Sequence, residues 1–360
     1  MLLSRRPRRR LLVLLLLFVA AVRFVPNAGE LYATWLYPGI SWVLSYIASF
    51  IPYSLEEWVV VLATLVLLLY PVIASLCGRK FSRMIKGELE MIGWVVVWFY
   101  LGWGCNYFRH DFHQRLMIFP ASYDKGEFMT FLNEYTDSLN ATYVRVDNVN
   151  AEDVLEEIKA IYTTIPEGYG LTRPQPFQRP KHVLFNDLYS GVGVLGYMGP
   201  FMGESQLNLQ LRPLQYPFTL AHETAHLLGV SSEAEANFWA YEVCLHSDDP
   251  AIHYSGYFGL LPNVWRNAQG LLEEKEMKEW QARINPNILS EWRTQSQYWK
   301  ALENPFIGGI QETLYNWFLK GNSIESGMEN YNQVVGMIMA IRQSHEEPLR
   351  RQGRRLSNKQ

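Results

Sequence analysis

Cysteine is scarce. The 360-residue chain has three, Cys77, Cys105 and Cys244. So odd and sparse a set excludes a disulfide framework and leaves the redox compartment open. Histidine is also thin, with eight in the chain, so any close grouping of them carries weight. A strong charge of either sign is missing. Lys and Arg total 32 against 35 Asp and Glu, a formal net charge of −3, which gives no reason to expect a nucleic-acid partner. There is no internal repeat. Residues 27–57 contain no Lys or Arg, and the apolar stretches at 58–76 and 91–108 contain no charge at all. Hydrophobic residues make up 49% of the chain, near the soluble average, but they crowd into the part before residue 110.

Three stretches read as membrane spans. Residues 58–76 and 91–108 approach the length that crosses the hydrocarbon core. Residues 11–22 are shorter and follow the basic cluster SRRPRRR. With Arg23 snorkelling, that span covers about 10–25. A cleaved signal peptide would share the basic start and short apolar core. No small-x-small cleavage site follows, however, and two further spans do, which favours retention. Lys and Arg set the orientation. The leading arginines belong in the cytoplasm, as do Arg79, Lys80, Arg83 and Lys86 between the second and third spans, while residues 27–57 belong outside. The three assignments agree. They predict a multi-pass protein of the cell membrane, with the lipid bilayer as partner and everything after about residue 109 outside the cytoplasm. The first loop, rich in Trp and Tyr, is expected to lie along the outer interface as a partly amphipathic segment, with a re-entrant segment as the other option. None of the spans carries an interior acidic residue, which argues against a transporter.

Residues 1–109 therefore form a membrane region, residues 110–345 one further domain, and residues 346–360 a basic tail expected to be disordered. Helical periodicity marks 124–139 and 151–164, the second opened by Glu152 and Asp153, which suit a helix N-terminus. Residues 165–181 read as loop, and residues 182–186 and about 194–210 as strands broken by glycine turns. From Pro217 to about 345 the chain reads as mainly helical. A small sheet followed by many helices gives an α+β class behind the transmembrane helices.

The chemistry concentrates in PFTLAHETAHLLGVSSEAEANFWAYEVC, residues 217–244. HETAH sets His222 and His226 four residues apart, on one helix face and able to share a metal. Glu223, beside the first histidine, is placed to take a proton from a metal-activated water. Pro217 suits the helix start and Gly229 its end. The apolar neighbours predict burial, and buried histidines need a partner. Catalytic zinc takes three protein ligands and keeps one position open. The elongated HExxHxxGxxH pattern fails, because position 232 is Ser. Ser232 and Glu235 fit a capping box, which leaves Glu233 as the favoured third ligand. Glu235 is next, with Glu242 and His246 behind. Asn237, one turn beyond Glu233, is placed to orient a ligand. For an oxyanion-stabilising group the candidates are Tyr331, Tyr254, Tyr257 and His253, with Tyr331 favoured. The glycine-rich GYMGPFMGE near 194–210 suits an edge strand on which a peptide could lie, and Glu204 within it is a lesser candidate for substrate contact.

These residues resemble the gluzincin metallopeptidases, which pair HExxH with a glutamate on a following helix. E-A-E-A-N at 233–237 looks like their pattern with Asn237 where Asp is usual. The whole chain resembles the bacterial membrane proteins of the domain-of-unknown-function 3810 family. Four segments carry that likeness: WGCNYFR at 103–109, GPFMGE at 199–204, the HETAHLLG to EAEANFWAY block, and LYNWFLKG to ENYNQVV at 314–335. The resemblance implies a zincin-like domain acting as a zinc metallopeptidase on a peptide or protein substrate, with His222, His226 and Glu233 on zinc and Glu223 catalytic. The short link from Phe108 to the next helix would suit substrates near the membrane. Two other readings stand beside it. One is a non-catalytic membrane-anchored binding module with a structural or vestigial zinc site, and the other a cell-envelope amide hydrolase.

Overall fold

Good helix formers, with a side-chain N-cap at about half of the helix starts, make the described residues mostly helical. The computed structural model describes residues 5–305, 309 and 333–344. The tail expected at 346–360 lies outside the described residues. The chain divides into two compact units. The first comprises Met1–His110, Gln175–Phe185 and Tyr197–Leu209, and the second Asp111–Pro174, Asn186–Gly196 and Gln210–Gln360. The α+β expectation reduces to a mostly helical fold with one two-stranded sheet among the described residues.

In the first unit, α1 (Arg5–Phe24) is followed by Asn27, whose φ of 64° turns the chain. Pro7–Phe24 and Ala28–Ser49 meet at a bend of 116°. The second arm is α2 (Ala28–Leu31), a π-helical turn at Tyr32–Leu36, and α3 (Tyr37–Ser49). Two long helices follow, α4 (Leu55–Leu76) and α5 (Phe81–Gly102). Among the described residues, α4 is the one helix long and apolar enough by itself to cross a membrane, with the bent pair a second if it counts as one span. The helix expected at 91–108 is displaced. It starts at Phe81, because Arg83, Lys86, Glu88 and Glu90 are good helix formers and continue the helix rather than make a loop. It ends at Gly102, and the apolar run finishes as a 3-10 turn, Gly104–Phe108.

Three buried carboxylates organise the start of α4. Ser54 caps it, its Oγ accepting from Glu57 N at 3.2 Å. Glu204 accepts from the next orphan donors, Leu55 N at 3.3 Å and Glu56 N at 3.1 Å. Glu56 in turn accepts from Phe201 N and Met202 N, both at 3.0 Å. Glu57 accepts from Leu184 N at 2.6 Å and Phe185 N at 3.2 Å. A Cβ at Gly199 would stand 2.6 Å from Cγ of Glu56, so only glycine lets that carboxylate reach its donors.

This network explains two corrections. Residues 182–186 do not form the expected strand: the backbone donors of Leu184 and Phe185 go to Glu57, and Lys181 and His182 make only isolated bridges, to Gln206 and Tyr53. The strands expected within about 194–210, broken by glycine turns, are present as a short pair, β1 (Gly196–Gly199) and β2 (Glu204–Leu207), but Glu204 serves helix α4 instead of facing a substrate.

The second unit holds α6 (Phe112–Leu116), α7 (Lys125–Ala141), α8 (Ala151–Thr164), α9 (Asn186–Gly191), α10 (Tyr216–Leu227), α11 (Glu233–Leu245), α12 (Pro250–Leu271), α13 (Glu274–Arg283) and α14 (Pro286–Leu302). α7 and α8 match the predicted helices. α7 gains a capping box from Asp124 and Glu127, and Asn150 caps α8. Phe128, Phe131 and Leu132 from α7, Ile158 from α8, Leu220 from α10 and Leu261 from α12 are fully buried. Ser255 on α12 accepts from Phe218 N and donates to Leu214 O, fixing the start of α10. Helix α11 is buried on nearly every side.

Glu204→Ala should leave two helix-start N–H groups without an acceptor, costing about 1–3 kcal/mol. Thermal unfolding of the full chain in detergent should therefore begin earlier. An unchanged midpoint would show that the carboxylate contributes nothing to the start of α4.

Candidate metal centre

Helix α10 carries HETAH. Pro217 lies in its first turn, where a missing N–H costs nothing. Its end is set by Gly229 at φ 98°, a conformation that side-chain-bearing residues rarely adopt. That turn brings the Val230 carbonyl to 2.7 Å from Nδ1 of His226. One helical turn earlier, Nδ1 of His222 lies 3.0 Å from Oδ1 of Asn237. Ser232 caps α11, its Oγ accepting from Glu235 N at 3.4 Å, so Glu233 becomes the first residue of the helix.

With an acceptor at each Nδ1, both imidazoles carry their proton there and present Nε2 lone pairs. The two Nε2 atoms lie 3.1 Å apart. Oε2 of Glu233 is 3.2 Å from one and 3.4 Å from the other. Three acceptor atoms thus converge, and a positive species must sit among them: a proton or a metal ion. These are the residues among those described that could hold a metal. In the metal-free chain a proton answers. Burial opposes a charged His226, but the Glu233 carboxylate outweighs it and pushes the imidazole up to about 9. Burial likewise works against an ionised Glu233, yet His226 and His222 hold it well below the usual carboxylate range. A divalent ion would take the same lone pairs and release that proton.

Glu223 is buried, and its Oε2 meets no hydrogen-bond donor among the described residues. Burial pushes its carboxyl up to about 7, the two histidines restrain the rise, and Glu233 adds to it. A buried carboxylate oxygen without a donor is costly in a folded protein, and it sits one residue from a histidine of the cluster. The donor set and this orphaned oxygen both fit a bound cation with a polar ligand beside it.

Glu235 is otherwise engaged. It forms a buried ion pair with Arg115 and accepts from Trp239 Nε1 at 3.1 Å. Its carboxylate does not turn back onto Ser232, so the expected capping box is only half made. Tyr331 lies outside the described residues. Tyr254 and Tyr257 are packed among aromatic rings, Tyr254 against Tyr143 and Phe258, and Tyr257 against Tyr135, Tyr241 and His253. Three supporting groups escaped the sequence: Arg115, the Val230 carbonyl, and Tyr162, whose hydroxyl donates to Ala221 O of α10 at 2.7 Å. An arginine or tyrosine tens of residues away gives no local signal.

The family described as Protein of unknown function (DUF3810) matches residues 32–339. The chain belongs to that family. The DUF3810 region takes in α10 and α11, so the whole cluster lies inside it. No curated protein and no solved structure matches the chain.

Arg115→Met should destabilise this DUF3810 protein by about 3–5 kcal/mol, because Glu235 is left charged and unpaired in the interior. Arg115→Met with Glu235→Met should recover most of that loss. Denaturation of the two full-length variants reads it directly. A double variant no more stable than the single one would show that the ion pair is not what holds Glu235.

Proposed function

We propose that this chain is a membrane-anchored, zinc-dependent metallopeptidase whose catalytic part works outside the cytoplasm. The triangle of His222, His226 and Glu233 carries the reading. A tetrahedral zinc with bonds of ~2.0–2.1 Å has ligand-to-ligand edges of roughly 3.3–3.4 Å. The triangle's edges are 3.1, 3.2 and 3.4 Å. Two imidazole nitrogens with one carboxylate oxygen favour zinc over calcium or magnesium, which take oxygen donors. Three protein ligands leave a fourth position for chemistry. The arrangement resembles the gluzincin pattern, with Asn237 in place of the usual Asp. Its Oδ1 accepts from His222 Nδ1, so the orienting role survives without the negative charge.

When bound, zinc supplies Lewis acidity toward an attacking water and the scissile carbonyl. Glu223 accepts the water proton on its carboxylate and returns it to the amine nitrogen as the C–N bond breaks. Asn237 and the Val230 carbonyl hold the two imidazoles with Nε2 inward.

Membrane anchoring is supported by exposed apolar surface on three helices. Leu14 and Leu17 of α1, Leu62 and Leu68 of α4, and Leu89 and Trp98 of α5 all lie open. In water, surface of that extent is a liability, and in lipid it is the expected lining. We read α1, α4 and α5 as spans, with the basic stretches at 5–10 and 79–86 in the cytoplasm.

A non-catalytic binding module is the second reading, favoured by the ability of the cluster to close on a proton alone. Metal analysis of the full-length, detergent-extracted chain separates the two. The metallopeptidase should carry about one zinc per chain in wild type, in Glu223→Gln and in the Arg115→Met, Glu235→Met double variant, and lose it in Glu233→Ala. On a peptide library, Glu223→Gln should lower turnover by about 10²–10⁴-fold. Absence of zinc from folded wild type would remove the peptidase reading. Zinc with no Glu223-dependent cleavage would leave the binding module, and cleavage confined to cell-wall fragments would make the chain an amide hydrolase.

A further inference from the structure

At one end of the first unit, the start of α1, the end of α4 and the first half of α5 enclose a cavity of about 360 Å³. Four arginines line it, Arg8, Arg9, Arg79 and Arg83, against a single carboxylate, Glu90. Glu90 is buried and spans two of them, accepting from Arg8 Nε at 2.6 Å and from Arg9 Nε at 2.9 Å. Each of those bonds uses the inner nitrogen, so Glu90 fixes the two guanidinium forks without saturating them. Arg79 lies over the ring of Tyr70, 6.0 Å from its centroid. Among the described residues, the guanidinium groups of Arg79 and Arg83 make no hydrogen bond or ion pair.

So many unneutralised guanidiniums around one cavity repel one another unless an anion joins them. Arginine forks match phosphate oxygens two at a time. The cavity is also flanked by apolar surface. Val72 and Ile73 of α4, near the lining residue Tyr70, are each 55% exposed, Leu89 of α5, beside Glu90, is 63% exposed, and Trp94 lines the wall. A free phosphate would use the arginines alone. A ligand with a phosphate head and hydrocarbon tails would use both features.

We propose that this cavity binds the phosphodiester of an anionic phospholipid, with its acyl chains along the exposed apolar side chains of α4 and α5 on the bilayer side of the arginines. The proposal rests on the membrane reading above and is independent of the peptidase reading. On that reading the cavity faces the cytoplasmic leaflet, where anionic lipid and basic side chains attract.

The test uses the full-length chain in nanodiscs of equal phosphatidylglycerol and phosphatidylcholine, with bound lipid counted by native mass spectrometry. Wild type should retain about one phosphatidylglycerol. Arg79→Gln with Arg83→Gln should bind it about thirtyfold more weakly, at about 1 kcal/mol for each basic side chain. Arg10→Gln, equally basic but outside the cavity, should match wild type. Equal retention of both lipids would overturn the proposal by showing no preference for the anion, and the same loss in Arg10→Gln would overturn it in favour of diffuse surface charge. Displacement of the lipid by millimolar inorganic phosphate, with the same stabilisation by phosphate alone, would overturn the lipid assignment and leave a free-phosphate site. Alkaline carbonate extraction of the same variants reports membrane integration separately, so a failure of the membrane reading cannot be mistaken for a failure of the lipid site.

Discussion

Helix α11 has almost no face turned to solvent, and the candidate centre follows from that constraint. Glu233, Glu235 and Asn237 are all buried on it, and a buried polar group must be paired or it destabilises the fold. The first turn therefore has to find partners in the surrounding helices. Glu235 takes Arg115 from α6, Asn237 takes His222, and Glu233 takes both imidazoles of α10. Each pairing fixes the rotation of α11 against its neighbours. What makes the helix tolerable in the interior also determines which carboxylate meets the histidines.

The same logic, with backbone amides as partners, governs the start of α4. There the buried acids answer orphan donors at a helix N-terminus and in two segments that arrive later in the chain. A salt bridge would need a second buried charge with its own desolvation cost. Backbone N–H groups are already present and already need acceptors, so each bond serves both sides.

Much of this was legible in the sequence. HETAH, Pro217 and Gly229 fix α10 by strong local rules, and the helices at 125–141 and 151–164 follow from periodicity and capping. Asp124, Asn150 and Ser232 all cap as their residue types suggest. The choice of Glu233 for the cluster turned on Ser232 as N-cap, which is also local. The illegible parts involve distant partners. Nothing near Glu235 announces Arg115, 120 residues away. Nothing in HVLFN reveals that its backbone donors belong to Glu57. The displaced start of α5 has another cause. Charge between two apolar runs suggests a loop, but Arg, Lys and Glu carry a helix readily when apolar residues recur among them.

The carboxylate network also sets an order of assembly. Glu57 and the N-terminus of α4 wait for Leu184, Phe185 and Glu204, which lie 127 to 149 residues further along. At synthesis rates of about 5–20 residues per second, that interval is roughly 6–30 s. Throughout it, α4 has left the ribosome with two acidic side chains and several amide donors unanswered. The first unit is therefore completed only after much of the second has been made. A chain cut near residue 110 would not separate the two units, because the fragment that keeps the histidines also takes away the segments that finish the helices before it.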